Sequence, residues 1–357
     1  MTIKICYVAG REESYSRTHN MLVALRRAGF EVTTCLPPNK SMKNYPKLLW
    51  EFLRQERDYD AVVVGFYGQL LLPFLRLCTQ KPILFDVYVS TFGTMVDDRL
   101  KAPRNSVKAK LFWLSDHWSM RLSDHIILES QQHILSYERT YRIPREKFTR
   151  LFLTSDEAVM QRRAPARKSE RFRVHFHGEY APFHGVDVII RAAHALASED
   201  VDFQIIGTGI TYERDRKLAA ELGVTNIEFI DRVRYDELAE YMCRADVCLG
   251  FFGDNARADR VFTNKVVEAL AVGQPLITRR NDAVAELLRD GESALLIEPG
   301  DPKALSSAIL RLKNDPELRQ KLADNGYRAF RDHCTQAVFA SALRKTIQEM
   351  LDHARTR

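Results

Sequence analysis

A chain of 357 residues, 45% of them apolar, has the material for two packed cores at about 150 residues each, which excludes a disordered or fibrous chain. Six cysteines (Cys6, Cys35, Cys78, Cys243, Cys248, Cys334) stand without a C-x-x-C pair or a histidine cluster, which argues against a disulfide framework and against a zinc or other metal site. The net charge of +6 is unevenly held: residues 1–165 carry 25 Lys and Arg against 17 Asp and Glu, and the remainder is slightly acidic.

Residues 3–8 alternate as a strand that ends at Gly10. A helix from about Ser16 carries Met21, Leu22 and Leu25 and stops at Gly29, and a second strand runs over 31–35. Short strands over 61–65, 82–89, 125–128 and 148–153, separated by helical patterns, continue a doubly wound parallel sheet of Rossmann-like type. The most apolar run, 61–75, is shorter than a membrane span and is broken by Tyr67, Gln69 and Pro73. The chain enters its first strand within a few residues, so no signal peptide is expected and the location is expected to be cytoplasmic.

The basic excess has a focus. Arg99, Lys101, Arg104, Lys108 and Lys110 lead into Leu111, Phe112, Trp113 and, later, Trp118. Basic residues beside large apolar ones suit the surface of an anionic membrane, and equally a solvated loop followed by an amphipathic helix packed on its own domain. No motif that reads DNA or RNA accompanies them, so nucleic acid is not expected as a partner.

Residues 156–171, polar and rich in Arg, read as a linker, with a domain boundary at 165. A second alternation then starts, with strands over 172–176, 203–206 and 227–230 and helices over 186–197 and 235–244. This second domain spans 166–335. An amphipathic helix over about 336–353 closes the chain, in a terminal segment of 336–357.

The densest signal lies between two apolar strands, 247–251 and 276–278. A polar, basic loop through Arg260 meets a helix over 263–271 whose Val266, Val267 and Leu270 recur at helical spacing, and Gly273 suits its C-terminus. Arg260, Thr263, Asn264 and Lys265 thereby fall at a helix N-terminus beyond a strand's carboxyl end, a place that favours phosphate. Glu268 follows Asn264 by one helical turn and can point the same way, to accept from ribose hydroxyls. A solvated charged turn is the plain alternative.

The run Thr263-Asn264-Lys265-Val266-Val267-Glu268-Ala269-Leu270-Ala271-Val272-Gly273-Gln274-Pro275 resembles the nucleotide-sugar motif of GT-B glycosyltransferases, specifically the retaining family 4 group, and residues 290–301 are similar to that family's following segment. The resemblance covers most of the C-terminal half and is looser before it. It implies a GT-B fold, α/β, with two Rossmann-like domains around a cleft that closes on the substrates. The N-terminal domain would bind the acceptor, the second the nucleotide sugar, and the last helix would cross back to the first domain. It also implies transfer without a cofactor or metal, the co-substrate being a nucleotide diphosphate sugar of UDP or GDP type and the acceptor a saccharide or a lipid-linked sugar.

Carried over residue by residue, the resemblance places Gly10 in the glycine-bearing loop that faces the donor diphosphate; a simple turn is the other reading. Gly178 opens a segment where the family usually has an Arg after the first glycine and a Lys before the second, whereas here Glu179 and His184 stand there. Arg260 and Lys265, with Arg257 and His184, are the cations offered instead for the leaving diphosphate. His184 is equally readable as a neutral, hydrogen-bonded loop histidine. Arg260 also occupies the place of the family's first glutamate, so Glu268 alone of that pair is kept and the sugar is left open.

Gly209, after a strand over 203–206, borders the base or phosphate, or makes a tight turn. On the acceptor side Asp86, and second to it Asp98, are candidates to orient or deprotonate the acceptor hydroxyl; each could instead cap a turn, and retention by same-face attack needs no side-chain base. The expected activity is retaining sugar transfer in cell-surface polysaccharide or glycolipid synthesis. A nucleotide-sugar epimerase on the same fold and a degenerate, membrane-associated partner subunit are the alternatives.

Overall fold

The computed structural model describes residues 2–55, 58–163 and 170–356. They form two compact units, 2–154 with the terminal segment from Gln336, and Ser155–Thr335. The boundary expected at 165 lies outside the described residues.

Unit 1 alternates β1 (Lys4–Val8), α1 (Ser16–Arg27), β2 (Glu31–Cys35), α2 (Tyr45–Arg54), β3 (Ala61–Val64), α3 (Leu72–Cys78), β4 (Ile83–Asp86), α4 (Val107–Leu122), β5 (His125–Leu128), α5 (Gln131–Tyr141) and β6 (Phe148–Arg150). Its strands are parallel, in the order β2-β1-β3-β4-β5-β6. β3 and β4 are buried on both faces and read as apolar runs, broken only by Asp86 at the end of β4, the mark of a parallel sheet covered by helices. α2 and α3 cover the face bearing Val62, Val64 and Phe85; α1 covers the face bearing Ile5, Tyr7 and Val63. The chain's last helix packs beside α1 on that second face, burying Phe339, Leu343 and Ile347. β4 stops at Asp86 rather than reaching 89, because Tyr88 takes a left-handed backbone (φ 41°) that an extended strand cannot hold.

Unit 2 runs β7 (Phe172–His177), α6 (Val186–Ala195), β8 (Val201–Ile206), α7 (Tyr212–Glu221), β9 (Ile227–Ile230), α8 (Tyr235–Arg244), β10 (Val247–Leu249), α9 (Asn264–Ala271), β11 (Leu276–Arg279), α10 (Asp282–Ala285), β12 (Leu295–Ile297), α11 (Pro302–Asn314) and α12 (Pro316–His333); α13 is Gln336–Arg355. Its parallel strands lie in the order β12-β11-β10-β7-β8-β9. The order reverses between β7 and β10, so the loops after these two strands leave the sheet on opposite sides and open a crevice at its carboxyl edge. α6 and α11 cover one face with Ile189, Ile190, Leu305 and Ile309. α9 is buried along nearly its whole length, which explains its run of small and branched apolar residues.

Candidate functional site: the carboxyl edge of unit 2

The two loops at the switch point carry the predicted donor residues. Thr263 is the N-cap of α9 in extended conformation, and its hydroxyl is buried without a hydrogen-bond partner at the helix's positive end. Asn264 and Arg260 are half-buried beside it. Lys265 is buried under the ring of Phe176, 5.4 Å from its centroid.

Lys265 Nζ donates to His184 Nε2 at 2.7 Å, and His184 Nδ1 bonds the Glu179 carbonyl. Only one tautomer satisfies both contacts: Nδ1 holds the proton for the carbonyl, and Nε2 accepts from the lysine. Burial, then the Lys265 charge, keeps His184 well below the ordinary histidine range. In this geometry His184 is a neutral, hydrogen-bonded residue that holds Lys265. Burial also pushes Lys265 down to about 7, with Glu268 opposing.

Gly178 explains how the lysine reaches this place. Its φ of 152° is one that L side chains rarely adopt, and a Cβ there would sit 3.0 Å from Lys265 Cε and 3.1 Å from Nζ. The loop after β7 is thus shaped around the lysine of α9.

Glu268, also buried, is held at both oxygens. Oε2 accepts from His177 Nε2 at 2.9 Å and Oε1 from the Tyr235 hydroxyl at 3.1 Å. A carboxylate has about four acceptor positions, so capacity for two further hydroxyl donors remains. Arg257 stacks on Phe183, 4.2 Å from the ring centroid. Its loop is fastened by the buried Arg279, which bonds the Gly253 carbonyl and, at 2.6 Å, Asp259, and by Asn281, which donates to the carbonyls of Ala258 and Val261.

His177, Tyr235, Arg279 and Asn281 were not singled out from the sequence. The usable signal was His175 and His177 at alternate positions of a strand whose other alternate positions, Phe172, Val174 and Phe176, are apolar.

Of the remaining candidates, Gly209 lies against the same loop after β7 and the others belong to unit 1. Gly209 forms a bridge with Tyr180, and a Cβ there would be 2.4 Å from the Tyr180 nitrogen, so its role is close backbone approach. Gly10 follows β1, but its N–H donates to the Phe66 carbonyl at 2.9 Å and is engaged within the fold rather than offered to a phosphate; Tyr67 and Tyr45 leave no room for a side chain. Asp86 is fully buried in a two-bond ion pair with Arg17, at 2.9 and 2.6 Å. Asp98 is buried in the turn Gly93–Asp98. A base must meet its substrate's proton, and in this arrangement neither aspartate reaches the surface; Asp86 serves as a structural counter-ion.

Residues 171–315 match the family of glycosyl transferases group 1. Over 177 residues the chain is 30% identical to an uncharacterized glycosyltransferase of Methanocaldococcus jannaschii, covering 50% of this chain and 48% of that protein. Over 173 residues it is 32% identical to a phosphatidyl-myo-inositol mannosyltransferase of Mycobacterium leprae, 47% and 44% of the two chains. The matched region thus spans less than half the length of these relatives. In structure, the chain resembles Anabaena HepE, solved with UDP and glucose, at a TM-score of 0.75 and 14% identity over 97% of this chain and 99% of the other. That likeness shows the fold, which is the two-domain α/β fold of GT-B glycosyltransferases. The matched span contains the whole Lys265–Glu268 site.

Proposed function

We propose that this protein is a retaining, metal-independent glycosyltransferase that moves a sugar from a nucleotide diphosphate sugar of UDP or GDP type to a saccharide or lipid-linked acceptor, in cell-surface polysaccharide or glycolipid synthesis. The observation that carries this reading is the pairing, on the first turns of α9, of a buried lysine beside an N-cap with a carboxylate held open-handed by His177 and Tyr235. Lys265 and the helix terminus stabilise the departing diphosphate, with Arg257 and Arg260 on the neighbouring loop adding charge. Glu268 accepts from the ribose hydroxyls. Transfer proceeds by same-face attack, the leaving phosphate taking the acceptor's proton, so no aspartate of unit 1 is needed as a base. The relatives' printed names, sugar transferases among them, support the reaction class.

The acceptor side points to an anionic membrane surface. No described helix is long and apolar enough to cross a membrane. Unit 1 nevertheless exposes Trp50 and Leu53 on α2, Phe74 and Leu77 on α3, and Val107, Leu111 and Trp118 on α4, with α3 packed against both other helices. α4 divides its aromatic residues: Trp113 is half-buried and donates to the Thr140 carbonyl, whereas Trp118 faces solvent. The exposed apolar residues lie among Arg54, Lys108 and Lys110, the composition of an interfacial face.

Incubation of the protein with UDP- and GDP-sugars and candidate acceptors, with NMR of the product's anomeric configuration, tests the reading. An α-linked product from an α-linked donor supports it, and an inverted linkage or conversion of donor without acceptor contradicts it.

A further inference from the structure

Behind Glu268 lies a row of buried polar side chains on one face of the sheet. Gln204, at the register position of β8 opposite His175, donates from Nε2 to the Tyr241 carbonyl at 2.9 Å and to His175 Nδ1 at 2.8 Å. His175 Nε2 meets His177 Nδ1 at 2.9 Å, and His177 Nε2 meets Glu268 Oε2. His175 and Gln204 are at most 1% exposed, in a strand pair that otherwise buries apolar residues.

The backbone carbonyl fixes the direction of every bond. A carbonyl can only accept, so the nitrogen of the Gln204 amide must face it, and the amide's second hydrogen faces His175 Nδ1, which must accept. The proton of His175 is then on Nε2 and is donated to His177 Nδ1, which places the proton of His177 on Nε2, directed at Glu268. Burial keeps His175 neutral, in accord with this order. α8 anchors both ends, with the Tyr241 carbonyl at one and the Tyr235 hydroxyl on Glu268 at the other.

We propose that Gln204, His175 and His177 form a one-directional hydrogen-bond relay whose task is to present Glu268 as a fixed, acceptor-only carboxylate to the nucleotide. The inference rests on the donor-site reading above and adds three positioning residues to it, which act through Glu268. A relay of this kind conveys proton order: an acceptor in place of the Gln204 nitrogen draws the His175 proton to Nδ1, leaves Nε2 bare, draws the His177 proton to Nδ1 in turn, and turns a lone pair toward Glu268.

Gln204→Glu makes that change with almost no change in volume. Two readouts on the full chain test the relay. With 15N-labelled histidine, assigned by single His→Asn variants, His175 and His177 are expected as neutral Nε2–H tautomers, and Gln204→Glu is expected to move the His175 proton to Nδ1. An Nδ1–H tautomer or an imidazolium at either position in the unmodified protein overturns the relay, whether or not the variant folds. In calorimetric titration with UDP and with GDP, Gln204→Glu is expected to weaken the binding nucleotide about tenfold or more, the scale of a hydrogen bond to a charged group. Glu268→Gln serves as the control. If Glu268→Gln weakens binding and Gln204→Glu does not, the relay fails and the donor site stands; if Glu268→Gln binds unchanged, the donor-site reading itself fails while the tautomers still report on the relay.

Discussion

Arg17 and Asp86, 69 positions apart in the chain, form a fully buried two-bond ion pair at the carboxyl edge of the unit 1 sheet. Removing one partner of such a pair leaves the other charge buried and uncompensated. Asp86→Asn is expected to destabilise unit 1 by about 3–5 kcal/mol, read as a lowered urea midpoint. Turnover per folded molecule is expected to persist; a stable variant that folds normally but has lost all turnover would restore Asp86 as a base.

Lys265 gives the stability a defined pH dependence. The unfolded chain keeps this proton up to the ordinary value of 10.5, the folded one only to about 7. Between these values unfolding takes up a proton, so the lysine's contribution rises with pH across that window and is lost as pH falls through 7. Subtracting the urea midpoints of Lys265→Met from those of the unmodified protein, from pH 6 to 10, isolates the slope. A difference independent of pH would contradict the buried, weakly basic lysine.

The same group sets how binding responds to pH. A diphosphate favours the ammonium, so affinity for the bound nucleotide is expected to fall as pH rises above about 7, by up to tenfold per unit. Calorimetric titrations at pH 6.5, 7.5 and 8.5 would show it, and Lys265→Met is expected to bind weakly at all three.

Gly178→Ala is expected to weaken nucleotide binding and to lower stability somewhat, because the added methyl meets the end of the Lys265 side chain and the φ of 152° strains any L residue. Cocrystallisation or titration with UDP reads the effect. Unchanged affinity would show that the lysine has room to move.

Replacing Leu111 and Trp118 together by serine is expected to abolish flotation with phosphatidylglycerol-containing vesicles with only a small change in the unfolding temperature, since both side chains are at least half exposed. An unmodified protein that fails to float with such vesicles would remove the membrane face from the account.

Much of the candidate site could be placed from the sequence because its residues are close in the chain. Lys265 and Glu268 lie on one helix, and their approach to each other follows from helical spacing and from the strand before them. His184 was legible as a position with two open roles, since its burial and its contact with Lys265, 81 positions away, are set by the fold. His175 and His177 were passed over because their partners, Gln204, Tyr235 and Tyr241, are brought in by strand register and by α8. Asp86 misled for the same reason: an aspartate at a strand's carboxyl end looks alike whether it faces a ligand or an arginine on a distant helix. The alternation of strands in both sheets was readable from local periodicity, but the short β12 and the helices α7, α10, α11 and α12 were not placed from the sequence, and the end of β4 was set by the left-handed backbone of Tyr88.

The most direct test of the donor site is a thermal-shift titration of the purified protein with UDP, GDP, ADP and CMP without added metal, because a specific ligand raises the unfolding temperature by mass action. A saturable shift with UDP or GDP, reduced in Glu268→Gln, is the expected result and names the donor class. No shift with any of the four nucleotides would contradict the donor site and favour a partner subunit that binds no nucleotide.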